Sequence, residues 1–397
     1  MILSRDNSEA KASVGFQFWV FSLVTAAFTT IYITQPVLPI IQTEFGVDET
    51  RSSLTISAVI FGMALSNLPL GVAADRFAVK PLVFTGGCVI TLCGLVCALT
   101  SDLWVLIATR FVQGLFIPCL TTCLAAYIAR TVPYERLNVV MGSYVSATVA
   151  GGLSSRLLGG FVHQPLHWRY AFVTSSVFLL AATLAACYFL PSEKKGPTAE
   201  VQAPGFFRLL TDPGLLRILA IPFSAFFVFS SVFNYLPFYL SAPPFEVSTQ
   251  VITFTYFSYL VGIVMGPFAG KLSNRMGNGA VMALGAVIFG VSLGATLIKA
   301  VPVIAGSLAT ICAGFFSIHS SAAGSLNRKL TSSRGRANSL YILSYYLGGF
   351  VGISLSGHMY VSFGWPGIVA MGATMLLVPL VSGLWELFSE RDSHTAG

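Results

Sequence analysis

The chain has 397 residues, 55% of them hydrophobic and 9% charged, with a formal net charge of +7. Soluble proteins carry about 25% charged residues, so the solvent for most of this chain is lipid. The polar start MILSRDNSEAKAS precedes an apolar run with no small-residue cleavage site, which predicts a first helix that is retained rather than a signal peptide.

A membrane-crossing helix needs about 20 apolar residues. In chain order the spacing predicts twelve, over roughly 15–41, 52–73, 81–100, 103–129, 138–162, 168–190, 215–240, 249–272, 279–299, 302–326, 338–362 and 366–388. None has the alternating period of a barrel strand. With the N-terminus inside, the inner segments hold seventeen Lys and Arg, and the outer loops hold Arg51, Arg169 and Lys299. That bias predicts a membrane protein with both termini cytoplasmic, and it accounts for the net charge without a nucleic-acid partner.

The polar, Pro- and Gly-containing stretch 191–214 reads as a cytoplasmic linker. It divides the chain into an N-terminal six-helix bundle, 1–190, and a C-terminal one, 215–397. The halves echo each other at an offset near 200: Gly71-xxx-Asp75-Arg76 against Gly270-xxx-Asn274-Arg275, Arg136-Leu-Asn138 against Arg336-Ala-Asn338, Leu38-Pro39 against Leu236-Pro237. The expected fold is an all-α membrane protein of twelve transmembrane helices in two pseudo-symmetric bundles, with its site between them near the midplane.

Two arginines stand inside apolar runs. Arg110 is in the fourth helix and Arg156 in the glycine-studded fifth, between Gly142 and Gly160. A buried arginine costs at least about 2.5–3.5 kcal/mol on insertion scales, and it normally faces a cavity or a partner. All fifteen Asp and Glu fall in loops or at helix ends, so neither arginine has an obvious acidic neighbour. The simplest neutraliser is a mobile anion, which makes both candidate substrate ligands through charge-assisted hydrogen bonds. For Arg110, snorkelling to the helix end is the competing reading. Tyr32, Gln35, Gln113, Asn234, Tyr235 and Tyr346 are the further candidate cavity groups.

His319 is the histidine well inside an apolar run. It reads equally as a titrating group or as a neutral one bonded to a neighbouring helix. His163 and His167 have i, i+4 spacing but no third ligand, and the seven cysteines read as small buried hydrophobes. No metal site and no cofactor is assigned. There is no P-loop, HExxH, CxxC or Ser-His-Asp order, which argues against an ATP-driven pump and against an enzyme. GxxxG pairs such as Gly266/Gly270 suit packing within a monomer.

With these features the chain resembles the major facilitator superfamily of secondary transporters over nearly all its length. GVAADRFAVK at 71–80 looks like the family's loop motif, with Ala78 and Val79 departing from it; GKLSNRMGN at 270–278 looks like the second copy, with Asn274 for Asp. The resemblance implies a cytoplasmic gate built from Gly71, Asp75, Arg76, Arg130, Gly270, Asn274 and Arg275. LIATRFVQG at 106–114 is similar to the fourth-helix motif of the drug/proton antiporter branch, which implies a role for Arg110 in proton coupling beside His319. Gly142, Gly151, Gly159 and Gly160 match that branch's fifth-helix motif, but Ser155-Arg156 replaces its Gly-Pro. Together with Tyr345–Gly349 this is similar to the bacterial YnfM-type exporters. The implied function is proton-coupled, alternating-access export of a small carboxylate-bearing anion; a multidrug/proton antiporter and an uptake carrier are the alternatives.

Overall fold

In hydrocarbon a backbone N–H finds no partner except in its own helix or within the protein. The computed structural model describes residues 2–132, 134–190, 209–329 and 334–395, and among them all regular structure is helical. The linker expected at 191–214 falls, as far as residue 208, outside the described residues. The helices are α1 (Ile2–Thr29), α2 (Leu38–Phe45), α3 (Glu49–Arg76), α4 (Val79–Leu99), α5 (Leu103–Leu120), α6 (Thr122–Thr131), α7 (Tyr134–His163), α8 (Trp168–Phe189), α9 (Pro213–Ser241), α10 (Thr249–Thr255), α11 (Tyr259–Met276), α12 (Asn278–Ala295), α13 (Val301–Lys329) and α14 (Arg334–Thr395). Side-chain caps start several of them: Asp48 accepts from the Arg51 amide, Asp102 from Trp104, Asp212 from Gly214 and Ser248 from Val251.

Among the described residues nine stretches are long and apolar enough to cross a membrane. One of them, Arg336–Ser389, has 54 residues. At 1.5 Å per residue that is about 80 Å, too long for one crossing. It divides at Gly364, whose φ of 62° and ψ of −155° no helix contains. Adding its second crossing, α7, and α1 with α2 gives the twelve expected. The outward faces are apolar: Leu92, Val177, Val264 and Val291 are more than half exposed, as suits side chains solvated by lipid.

Three crossings are not the unbroken helices that hydropathy predicts. The first stops at Thr29, turns through residues 30–34 and resumes as a 3-10 turn, Gln35–Val37, and then α2. Pro36 and Pro39 withdraw two backbone donors there. The fourth breaks at Thr121 (φ −108°, ψ −70°), three residues after Pro118. The eighth passes through a 3-10 turn at Tyr256–Ser258.

Within the first half α1 packs on α7, α3 on α5, and α4 on α8; in the second, α9 packs along α14 and α13 lies against α11 and α12. The halves meet along α3 and α14, and again at the end remote from the termini. There Asn234 donates to Ser53 Oγ at 2.8 Å. Nearby Gly160 lies so close to Thr253 that any β-carbon would collide with it.

Candidate functional site

A cavity of about 480 Å³ lies between α1 and α7 of one half and α9, α11, α13 and α14 of the other. It follows α7 from Arg156 to Gly142, about 21 Å at the helical rise, toward the face that carries the termini. Its wall is largely aromatic, with Phe28, Phe226, Phe229, Phe315, Phe316 and Tyr345.

Arg156 supplies its charge. The side chain is 3% exposed. Nε donates to Gln35 Oε1 and Nη1 to the Gly152 carbonyl, each at 2.6 Å. The guanidinium carbon stands 3.8 Å from the Tyr32 ring centroid, 4.3 Å from that of Tyr259 and 5.6 Å from that of Tyr256. Aromatic faces attract a cation without neutralising it. Among the described residues no carboxylate lies within ion-pair distance of Arg156. The Tyr259 hydroxyl beside it is buried and has no hydrogen-bond partner.

The break in the first crossing explains why these groups converge. It exposes backbone that lipid cannot satisfy. Ser155 Oγ accepts the Tyr32 N–H at 2.8 Å, and the next residue, Arg156, takes the Gln35 side chain. A β-carbon at Gly159 would collide with the Ile33 carbonyl. The Ser-Arg pair that replaces Gly-Pro therefore braces the broken segment, and the glycines admit it.

Arg110 is placed differently from expectation. It is fully buried but does not line the cavity. Nη1 donates to the Thr30 carbonyl at 2.7 Å and to Gln113 Oε1 at 2.8 Å, Nε donates to the Thr55 carbonyl at 3.0 Å, and Nη2 donates to the Ile31 carbonyl. Gln113 in turn donates to the Ile90 carbonyl. Carbonyl dipoles, two of them at the break, take the place of an acid. In this structure Arg110 and Gln113 are packed on backbone carbonyls outside the cavity, and the same bonds hold the guanidinium away from the helix end.

Of the other candidates, Tyr32 and Gln35 line the cavity. Asn234 and Tyr235 do not: they are buried in the closure at the far end, Asn234 on Ser53 and Tyr235 on the Ile353 carbonyl at 3.0 Å. Tyr345 rather than Tyr346 faces the cavity. His319 lines it too, with Nδ1 3.0 Å from Tyr341 Oη, which also lies 3.1 Å from the His319 carbonyl.

At the termini-bearing face Asp75 accepts from Arg130 Nη1 at 3.1 Å, and Arg130 also reaches the Ala74 carbonyl. Both belong to the first half, so this carboxylate does not bridge the halves here. Gly71 and Gly270 have only ordinary contacts near the place of a β-carbon, whereas close backbone approach falls at Gly62 and Gly114, where α3 and α5 touch. Arg76, Asn274 and Arg275 are exposed on that face.

Residue reading missed Ser155, Tyr256 and Tyr259. The i, i+3 pair Tyr256/Tyr259 inside an apolar run was the available signal. It also missed an outer cluster beyond the end of the first span, where Glu44 accepts from Trp168 Nε1 at 2.6 Å and from Arg169. Partial burial opposes the charge of Glu44, but the bonds from Trp168 and Arg169 and the nearby His167 outweigh it, holding the carboxyl below its ordinary value of 4.5.

The comparisons agree with this architecture. A family model described as Major Facilitator Superfamily matches residues 20–277 and, again, 240–396. The chain is 30% identical over 368 residues to the inner membrane transport protein YnfM of Escherichia coli (strain K12), covering 92% of this chain and 88% of that protein. It is 26% identical to an uncharacterized transporter of Buchnera aphidicola subsp. Schizaphis graminum, covering 90% of this chain and 88% of that one. Crystal structures of a bacterial homolog of the human lysosomal transporter Spinster, inward-facing and either unoccupied or occupied, superpose with TM-scores of 0.73 and 0.76 at 14% identity, covering 96% of this chain and 97% of each. An all-helical bundle of paired six-helix halves around one cavity, matched by that model over nearly its whole length, makes this chain a multi-pass membrane transporter, not an enzyme, belonging to the Major Facilitator Superfamily.

Proposed function

We propose that the protein carries a small organic anion, bearing a carboxylate and an apolar body, by proton-coupled export across the bacterial inner membrane with both termini cytoplasmic. One observation carries this reading: among the described residues Arg156 is a buried cation without an acid, at the end of an aromatic cavity between the halves. A substrate carboxylate would take a charge-assisted bond from the guanidinium and a second from the unpartnered Tyr259 hydroxyl. The phenylalanines would cover its body. Gln35 and Tyr32 hold the guanidinium plane and so set the approach.

The cavity runs along α7 toward the face that carries the termini, and at the far end the halves touch at Asn234–Ser53 and Gly160–Thr253. Under the proposed orientation this is a state loaded from the cytoplasm. Export follows the resemblance of the glycine run in α7 to the antiporter motif. For coupling, His319 stands in the cavity wall with its ring on Tyr341 and is the candidate proton carrier. Asp75, with Arg130 released from it, is the candidate for the inner gate when that side closes, with Gly71, Arg76, Gly270, Asn274 and Arg275 around it.

The phenylalanine-rich wall favours a second reading, a carrier of lipophilic drugs. Counterflow in proteoliposomes separates the two. Movement of benzoate or phenylacetate, lost in Arg156→Gln, supports the anion reading; movement of ethidium without any carboxylate defeats it. Uphill export driven by a pH gradient, abolished in His319→Gln while counterflow persists, supports coupling through His319.

A further inference from the structure

Two glycines of α11 line the central cavity with opposite surroundings. Gly262 and Gly266 stand about one turn apart, on the face that also carries Tyr259, and all three border the cavity. A β-carbon at Gly262 would overlap the ring of Phe316, which α13 presents to the same cavity. At Gly266 no atom lies within 4 Å of where a β-carbon would stand. The missing side chain at 262 therefore leaves a notch in α11 that the Phe316 ring fills, as small residues let membrane helices pack closely. At 266 the same lack of a side chain seats nothing.

The half-buried Phe316 ring has one open side. It stands nearly perpendicular to Phe315, at 5.2 Å between centroids, and to Phe229, at 6.3 Å. Those two rings are stacked on each other at 4.0 Å and are 1% and 3% exposed. They back Phe316 as a close-packed block, which yields only at a cost. A ring pushed off α11 therefore moves into the cavity. That space is about 480 Å³, in the lower half of the roughly 300–1,000 Å³ typical of ligand sites, so a displaced ring takes a substantial share of it. Gly262 lies three residues beyond Tyr259, about 4.5 Å along the helix. The seat of Phe316 is thus beside the apolar body of a substrate whose carboxylate is held at Arg156 and Tyr259.

We infer that Gly262 sets the width of the substrate, by seating the Phe316 ring against α11 and out of the substrate's space. The class admitted is then planar aromatic carboxylates wider than a single ring. Any side chain at 262 drives the ring into the cavity and narrows that class. Gly262 acts through Phe316 and is a positioning residue. The inference rests on the reading of Arg156 and Tyr259 as the carboxylate anchor, and it adds to that reading a limit on the body behind the anchor.

The test uses the full-length protein in proteoliposomes and compares counterflow of benzoate, naphthoate and anthroate, read as ratios to benzoate. One methylene in an apolar pocket discriminates by about 10- to 200-fold, so Gly262→Ala should lower the naphthoate ratio by about tenfold or more. Gly266→Ala, whose new methyl meets no neighbour, should keep the wild-type ratio. Phe316→Ala should raise the anthroate ratio. Gly262→Ala/Phe316→Ala should regain at least the wild-type naphthoate ratio, because no ring is left to displace. An equal loss of all three carboxylates in Gly262→Ala, the same change in Gly266→Ala, or no relief in the double variant overturns the inference and leaves the Arg156 reading standing. Wild-type protein that moves none of the three defeats the Arg156 reading, and the inference falls with it. Should Gly262→Ala fail to fold, Phe316→Ala and Phe316→Trp decide: the naphthoate ratio should rise in the first and fall in the second, and a ratio unmoved in both overturns the inference.

Discussion

Arg110 donates to the Thr30 carbonyl at 2.7 Å, so a side chain occupies the place of a missing helical amide. With the bond to Ile31, one guanidinium satisfies two carbonyls at the break in the first crossing, and it takes a third, that of Thr55, from α3. A buried acceptor left unmet costs about 1–3 kcal/mol. Arg110→Ala should therefore destabilise the fold by several kcal/mol, about 2–6 if the two carbonyls at the break add. Fluorescence-detected size exclusion should show lower yield and a broadened peak. A monodisperse variant with an unshifted melting temperature would contradict the structural role.

Arg156→Gln should behave in the opposite way. The side chain remains long enough to reach Gln35, and its aromatic neighbours remain packed. Melting in the absence of substrate should move little, whereas the stabilisation given by aromatic carboxylates should disappear. Arg156→Lys keeps the charge but loses the plane that lies over Tyr32, so it should weaken carboxylate binding by about tenfold, an expected 1.4 kcal/mol. Tyr259→Phe should weaken it as well, since it deletes the unpartnered hydroxyl. Isothermal titration with benzoate reads all three.

The contrast between the two arginines marks the limit of what residues alone disclose. Composition, loop charge and the glycine-studded fifth helix make the twelve crossings, the paired halves and Arg156 legible. Arg110 looked equivalent, because a helix break is invisible to hydropathy: residues 30–34 are as apolar as their neighbours, and the Pro36 and Pro39 signal was absorbed into one long span. Asn234 and Tyr235 lie in the right helix at the wrong height. Cavity depth depends on which end of the bundle is closed, and no local pattern encodes that. Tyr259 was missed because an aromatic in an apolar run is ordinarily packing.

Gly160→Val should hold the remote end apart. Its side chain would overlap Thr253 on the other half, while the rest of α7 keeps its contacts with α1. Spin labels at Thr43 and Gln250 should report a longer distance by double electron–electron resonance than in the parent. Transport should fall at least tenfold with folding preserved. An unchanged distance would show that α7 and α10 separate elsewhere.

The outer cluster predicts an acid limb. Because the folded Glu44 carboxyl titrates below its ordinary value of 4.5, the folded state holds fewer protons there than the unfolded chain. The contribution is then complete above that value, and it falls away as pH drops through the lower, folded one. Glu44→Gln should lower stability at pH 7 and flatten its decline between pH 5 and pH 3, measured by thermal unfolding across that range.

The stitches around the broken crossing also constrain the transport cycle. Ser155 and Arg156 of α7, Arg110 of α5 and the Thr55 hydroxyl of α3 all bond the same few residues after Thr29. Four crossings are thereby riveted into one plate, with the discontinuity as its fixed boss rather than its hinge. If Arg156 binds the substrate as proposed, a substrate anchored there would move with that plate as one body.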